Sequence, residues 1–296
     1  MTGLGNLTRR NSKLFFKDKG MFFTSLITPV ILLVLYATFL AKVYRDSFAS
    51  AVPQGFELDS SLIDATVGGQ LISSLLAVCC ITVAFCSNML MVQDKVTGAL
   101  RDITVTPVKR STLAVSYYIA TVLSTMLICL IATGAGFIYL AKAGWYLSAA
   151  DTALFVLDVI LLVLFGTALS SIINFFLSSQ GQMSAVGTIV SAGYGFICGA
   201  YMPISQFGET LQHVISFLPG TYGTSLLRNY ALAGVYQEMA DTGFPSEVIE
   251  AIKDSVDCNL YFFDSKVETG TMYLILAGST AVLIGIYIVM NLLKKH

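Results

Sequence analysis

The sequence predicts an all-α integral membrane protein of six transmembrane helices. An amphipathic interfacial helix is expected before them, a short charged amphipathic helix on the cytoplasmic side after the second, and re-entrant helices before the last. Three observations carry that class. Of 296 residues, 55% are hydrophobic and 12% are charged, with a mean hydropathy of +0.76, whereas a soluble chain carries about 25% charged residues. Six stretches have the roughly 20 apolar residues that a helix needs to cross hydrocarbon. Basic residues gather in alternate connections rather than evenly. The same composition excludes a disordered chain and an ordinary soluble enzyme, which could not cover so much apolar surface. A formal net charge of −1 offers no whole-chain attraction for nucleic acid, so no nucleic-acid partner is expected.

Residues 1–20 form the expected entry helix. Leu7, Leu14 and Phe15 fall near one helical face, with Arg9, Arg10, Lys13 and Lys17 largely elsewhere. That pattern suits a helix lying on the inner leaflet, apolar face down and basic residues toward anionic headgroups. A basic topology signal without further role is the other reading. Span one covers 21–41; it follows a polar segment without a small-residue cleavage pattern, so it reads as an uncleaved span. Spans two to six cover 67–92, 111–140, 152–177, 183–202 and 271–293. None shows the period-2 alternation of barrel strands. Pro29 in span one and Gly134 and Gly136 in span three predict kinks or close contacts.

Orientation follows from charge. The N-terminal segment, the connection at 93–110 and the tail at 294–296 together hold 11 of the 17 basic residues but only Asp18, Asp94 and Asp102 of the acidic ones. The segment between spans five and six holds nine acidic residues against Arg228, Lys253 and Lys266. Both termini are therefore expected in the cytoplasm and the acidic segment outside. That outer segment divides in two. Residues 203–236 are apolar and broken by Pro and Gly, as two short helices dipping into the outer leaflet would be. Residues 237–269 are acidic, with Ser246 placed to cap a short helix that carries Val248, Ile252 and Val256 on one face.

Within the spans, five cysteines read as small apolar residues. Cys258 alone faces outside and is expected as a free thiol, since any disulfide would have to join two copies. The histidines are only His213 and His296, and no metal site is expected. Asp158 is the one ionisable side chain inside a span. It is a cation or proton contact by default, with a register-holding, hydrogen-bonded carboxylate as the structural alternative. Span five is rich in small residues, which suits close packing against other helices. Its Gln182, Tyr194 and Tyr201 suit a polar path instead. No GxxxxGK[ST] phosphate loop occurs.

The connection after span two reads QDKVTGALRDITVTPVKR from Gln93 to Arg110, with Val96, Leu100 and Ile103 at helical spacing and Lys95, Arg101 and Asp102 elsewhere. Such a surface suits docking to a soluble partner, and a plain charged loop is the alternative. This segment resembles the coupling loop of permease subunits in the ABC-two superfamily, the type V ABC exporters. Their loop starts with an acidic residue, has Gly about four later, and ends in Thr-Pro followed by a basic residue. Asp94, Gly98, Thr106, Pro107 and Arg110 stand at those positions here. The stretches 199–203, 218–219 and 227–228 resemble the family's outer motif. Thr97 and Arg101 stand where many members carry Glu, and the insert at 237–269 is larger than in the short polysaccharide exporters.

The resemblance implies a non-catalytic permease. It would work as two permeases, either two copies of this chain or this chain with a homologous one, joined to two separate ATP-binding subunits. ATP and Mg would sit on those partners and no cofactor in this chain. Asp94, Lys95, Gly98, Arg101, Thr106, Pro107 and Arg110 would receive the push of the ATPase, together with Arg9, Arg10, Lys13 and Phe15 of the entry helix. Thr28, Asn88, Ser184, Thr188 and Tyr194 would line the substrate path, and Pro203, Phe207 and Pro219 would form the outer gate. The cargo would be amphipathic (a drug, antibiotic, peptide or lipid-like compound) and the location a bacterial plasma membrane. A proton-coupled carrier using Asp158, or a membrane enzyme or immunity protein, are the other classes.

Overall fold

The computed structural model describes residues 2–51, 59–263 and 265–293; the expected tail at 294–296 lies outside them. The chain begins with α1 (Thr2–Lys17) and turns at Asp18, whose carboxylate accepts from the Met21 N–H to cap α2 (Lys19–Leu35). One π-helical turn (Tyr36–Leu40) leads into α3 (Ala41–Ala51). Then come α4 (Ser60–Thr97), the short α5 (Ala99–Val105), α6 (Arg110–Ala143) and α7 (Ala149–Phe176). Ser148 and Asp151 form a capping box that starts α7 slightly before the expected residue 152. The remainder is α8 (Gln180–Ile197), a 3₁₀ turn (Ile204–Gln206), α9 (Glu209–Ser216), α10 (Pro219–Asp241) and α11 (Ser246–Ser255). An antiparallel hairpin of β1 (Leu260–Phe262) and β2 (Ser265–Val267) precedes α12 (Thr269–Leu293).

The protein is an all-α membrane protein. Among the described residues five helices are long and apolar enough to cross a bilayer: Lys19–Asp46, Ser60–Thr97, Arg110–Ala143, Ala149–Phe176 and Thr269–Leu293. The remaining expected span, at 183–202, corresponds to α8, whose 18 residues reach about 27 Å but are less apolar than the others.

Helix α4 is the axis of the bundle, with α2, α6, α7, α8 and α10 packed around it. Small residues allow that crowding. A side chain on Gly166 of α7 would meet Ile81 at 2.8 Å, and one on Gly69 of α4 would meet Leu232 at 2.6 Å. Gly136 makes the expected close contact, with Ile72, whereas Gly134 faces open space.

Four expectations need correction. The apolar face of α1 does not enter the leaflet: Leu7, Leu14 and the buried Phe15 pack into the protein against α4 and α6. An amphipathic face must be covered by something apolar, and here the bundle covers it. The segment 203–236 is not two short helices, because α10 has 23 residues and continues through Asp241. The segment after it is not merely water-loving. Phe244, Ile249, Ile252 and Cys258 form an outer core with Leu62, Leu232, Tyr236 and Met239. Ser246 is the first helical residue of α11 after Pro245 and makes no side-chain cap.

Candidate functional site

The elbow between α4 and α6 is built around Gly98. Its φ of +84° lies in the left-handed region, where glycine ends a helix without a Cβ clash, so α4 stops and α5 leaves in a new direction. Leu100 and Ile103 turn toward a cluster of Leu90, Met91, Leu113 and Tyr117. Arg101, Asp102, Thr104, Val105, Thr106, Pro107, Lys109 and Arg110 stay exposed, Val105 most of all at 87%. Val96, expected on the apolar face, is exposed at 43%.

Asp94 and Lys95 belong to the foundation of this elbow rather than to its outer surface. Asp94 is buried and receives both guanidinium nitrogens of Arg10, at 2.6 and 3.1 Å, and the hydroxyl of Tyr117. The hydrogen bond to that carboxylate holds the Arg10 guanidinium above its ordinary pKa. Asn11 extends the joint, accepting from Arg10 at 2.9 Å and donating to Ser116 at 3.4 Å. Lys95 donates to the carbonyls of Asn174, Phe175 and Leu177 at 2.9 to 3.1 Å, a cation seated on the C-terminal end of α7. The structure therefore brings predicted residues of the entry helix and of the elbow into one joint, while Arg9 and Lys13 face away from it, exposed.

A cavity of about 780 Å³ lies between α2 and α8, floored by Cys86 and Met89 of α4. It runs from Gly20 to Leu35 along α2, about 22 Å. Three of the five expected path residues line it: Thr28, Ser184 and Thr188. The small residues of α8 leave room here instead of packing tightly, and most of α8 is exposed or half-buried. Asn88 does not line it. It is buried, donating to Ser170 and Ser171 of α7 at 3.1 and 2.9 Å. Tyr194 also turns away, its hydroxyl where a Gly220 side chain would be, 2.5 Å from that Cβ position. Tyr201 lines the cavity instead, stacked edge-on with Phe196 at 5.0 Å at the Leu35 end. Met89, Met183 and Ile31 were missed as lining residues, because an apolar side chain gives no sequence sign of which neighbour it faces.

A buried polar junction joins two of the outer-motif stretches, 199–203 and 227–228, through partners, Ser74 and Asp257, that the sequence reading did not single out. Arg228 of α10, fully buried, donates to Asp257 at 3.0 Å, to Ser74 of α4 at 3.2 Å and to the Gly199 carbonyl. Asp257 also accepts from the Ile204 N–H at 2.8 Å. Burial pushes the Asp257 carboxyl above its ordinary pKa, against the pull of Arg228 and of that N–H. This junction ties α4, α10, the turn after α8 and the outer lobe together. Pro203 precedes the 3₁₀ turn, Phe207 packs half-buried on the main core, and Pro219 is the first residue of α10. None of the three lines the cavity.

Asp158 is fully buried, and neither of its oxygens has a hydrogen-bond partner among the described residues. All six cysteines are free, and Cys258 is buried with its sulfur 3.3 Å from the Tyr236 hydroxyl. Among the described residues no group of three His, Cys, Asp or Glu could hold a metal ion.

Residues 2–232 match the family model described as ABC-2 type transporter. A comparison with curated proteins gives no match.

Proposed function

As the chain belongs to the ABC-2 type transporter family, we propose that this multi-pass permease subunit is the membrane half of an ATP-driven exporter. Two permeases would join two copies of a separate ATP-binding subunit, which carries ATP and Mg. The observation that supports this reading is the braced elbow. Its outer part, Arg101, Asp102, Thr104 to Pro107 and Lys109, is exposed to a partner, while Asp94 and Lys95 fasten its root to α1, α6 and α7. A push on α5 is then carried into three helices at once, because salt-bridged and hydrogen-bonded joints transmit displacement without local yielding.

The cavity between α2 and α8 is the substrate path in this reading. It is mostly apolar, with hydroxyl-bearing residues Thr24, Thr28, Ser184, Thr188, Ser191 and Tyr201 among its lining, which suits an amphipathic cargo. The Phe196–Tyr201 pair closes its outer end. In this reading α8 is the fifth of six spans, crossing the bilayer after the short turn that follows α7, so that both termini would be cytoplasmic. The N-terminal end of α10 is re-entrant. Gly220 lies beside Phe165, 16 residues down α7 from Ala149 and so about 24 Å from its outer end.

The test is co-purification with any ATP-binding subunit found in a neighbouring reading frame, followed by ATPase and transport assays. Arg101→Glu and Gly98→Leu should lower permease-stimulated hydrolysis at least tenfold, by about 1.4 kcal/mol or more of lost coupling. Unchanged stimulation, or full transport without any bound ATPase, refutes the proposal. The unpartnered carboxylate of Asp158 favours one competing reading, a proton-driven carrier. Asp158→Asn should leave ATP-dependent export nearly intact and abolish proton-coupled uptake or efflux.

A further inference from the structure

A second large crevice, about 1070 Å³, runs between α1 and the lipid-facing side of α6. One wall carries Arg9, Lys13 and Lys17, spaced four residues apart and so stacked along one face of α1. All three are exposed, and none makes an ion pair among the described residues. No acidic residue lines the crevice. The other wall is Ile119, Leu123 and Leu127, the start of a stripe on α6 that continues through the exposed Ile131 and Ile138.

The floor is polar where an apolar floor would suffice for packing. Ser124 is 1% exposed and lines the crevice, yet its hydroxyl has no hydrogen-bond partner, and the same holds for the hydroxyls of Thr8 and Ser12 on α1. Buried hydroxyls are normally paired, so three unpaired ones along one crevice call for an acceptor supplied from outside the chain. The acceptor must be anionic to match the basic wall and must carry an apolar tail to match α6.

We propose that the α1–α6 crevice binds one anionic glycerophospholipid of the inner leaflet. Its phosphate is held by Arg9, Lys13 and Lys17, its glycerol and ester oxygens accept from Ser12 and Ser124, and one acyl chain lies along Leu123 and Leu127. This site is separate from the α2–α8 cavity and does not depend on what that cavity carries. It gives the unabsorbed basic residues of the entry helix a role distinct from that of Arg10, which faces the protein. The lipid would wedge α1 against α6, on the same helix that braces the elbow.

The experiment uses the full chain in detergent, titrated with phosphatidylglycerol or phosphatidylcholine, with retained lipid counted by native mass spectrometry. One phosphatidylglycerol per chain should be retained in preference to phosphatidylcholine. Arg9→Gln and Lys13→Gln should each lower that preference about fivefold, and Lys109→Gln, on the exposed elbow, should leave it unchanged. Ser124→Leu should lower retention of phosphatidylglycerol itself. If that buried variant fails to fold, the two exposed charge variants decide alone. Equal retention of both lipids, an equal loss in Lys109→Gln, or an unaltered preference in Arg9→Gln and Lys13→Gln overturns the site. So does full displacement of phosphatidylglycerol by inorganic phosphate, which would mark a plain anion site without a tail groove.

Discussion

Arg10→Gln is the perturbation that the structure makes most informative. The guanidinium reaches both oxygens of Asp94, and the Asp94 side chain is only 7% exposed while that of Arg10 is 31% exposed. Removing one partner of a fully buried pair costs about 3–5 kcal/mol, because a charge is left desolvated and unmatched. Solvent screening over the exposed third of Arg10, and the remaining bond from Tyr117, reduce this to about 2 kcal/mol. The assay is unfolding of the full chain in mixed micelles, run as a double-mutant cycle with Asp94→Asn. The two changes together should cost less than their sum by about 1–2 kcal/mol. Arg9→Gln, one residue away but facing the crevice, should cost under about 0.5 kcal/mol. In reconstituted complexes Arg10→Gln should also weaken coupling between hydrolysis and transport. Strict additivity, or equal costs for Arg9→Gln and Arg10→Gln, would refute the reasoning that Arg10 fastens the elbow to the entry helix.

Other outcomes follow from the same geometry. Asp257→Asn leaves the fully buried Arg228 without its counter-ion and should cost about 3–5 kcal/mol. Faster proteolysis of the outer lobe is the readout, and replacing both residues with apolar ones of similar volume should recover most of the loss. Gly234→Ala drives a Cβ into the Tyr146 carbonyl oxygen and should destabilise by about 3 kcal/mol. Gly285→Ala, with nothing nearby in α12, should be neutral or gain up to about 1 kcal/mol in the same unfolding assay. Glu250 accepts from Lys266, Lys253 and Asn259, which pull its pKa from 4.5 down to about 2. Because the folded value is depressed, its stabilisation is present above pH 4.5 and is lost as pH falls through about 2. The side chain is 45% exposed and so screened by solvent, and the effect should stay below about 1 kcal/mol. Hydrogen exchange across α11 and the hairpin, corrected for intrinsic rates, should show that step, and Glu250→Gln should flatten it.

The class and most helix positions were legible because hydrophobic length and basic-residue placement are local quantities. The elbow was legible for the same reason, as Gly98 and Pro107 punctuate the chain whatever surrounds them. Partnership was not. Lys95 was grouped with the outward coupling residues, yet it seats on the end of α7, 79 residues away from the nearest carbonyl it reaches. Thr28 and Thr188, expected on a substrate path, line a cavity, whereas Asn88, just as polar and just as central, pairs with Ser170 and Ser171 instead. The difference lies in the neighbouring helix, which no single-helix pattern encodes. Leu7, Leu14 and Phe15 show the same limit: amphipathicity marks a face that must be covered, and lipid and protein satisfy it equally well on paper.

By itself the sequence determined that this chain lives in a bilayer as apolar helices with a charged elbow after the second, since both follow from runs of residues contiguous along the chain. Only the tertiary structure decided which helix forms the axis, which polar groups find partners, and that Arg228 and Asp257 meet. Those outcomes depend on the distance between segments far apart in sequence, and in hydrocarbon that distance is set by side-chain shape, through glycines such as Gly69, Gly166 and Gly223 that let one backbone approach another.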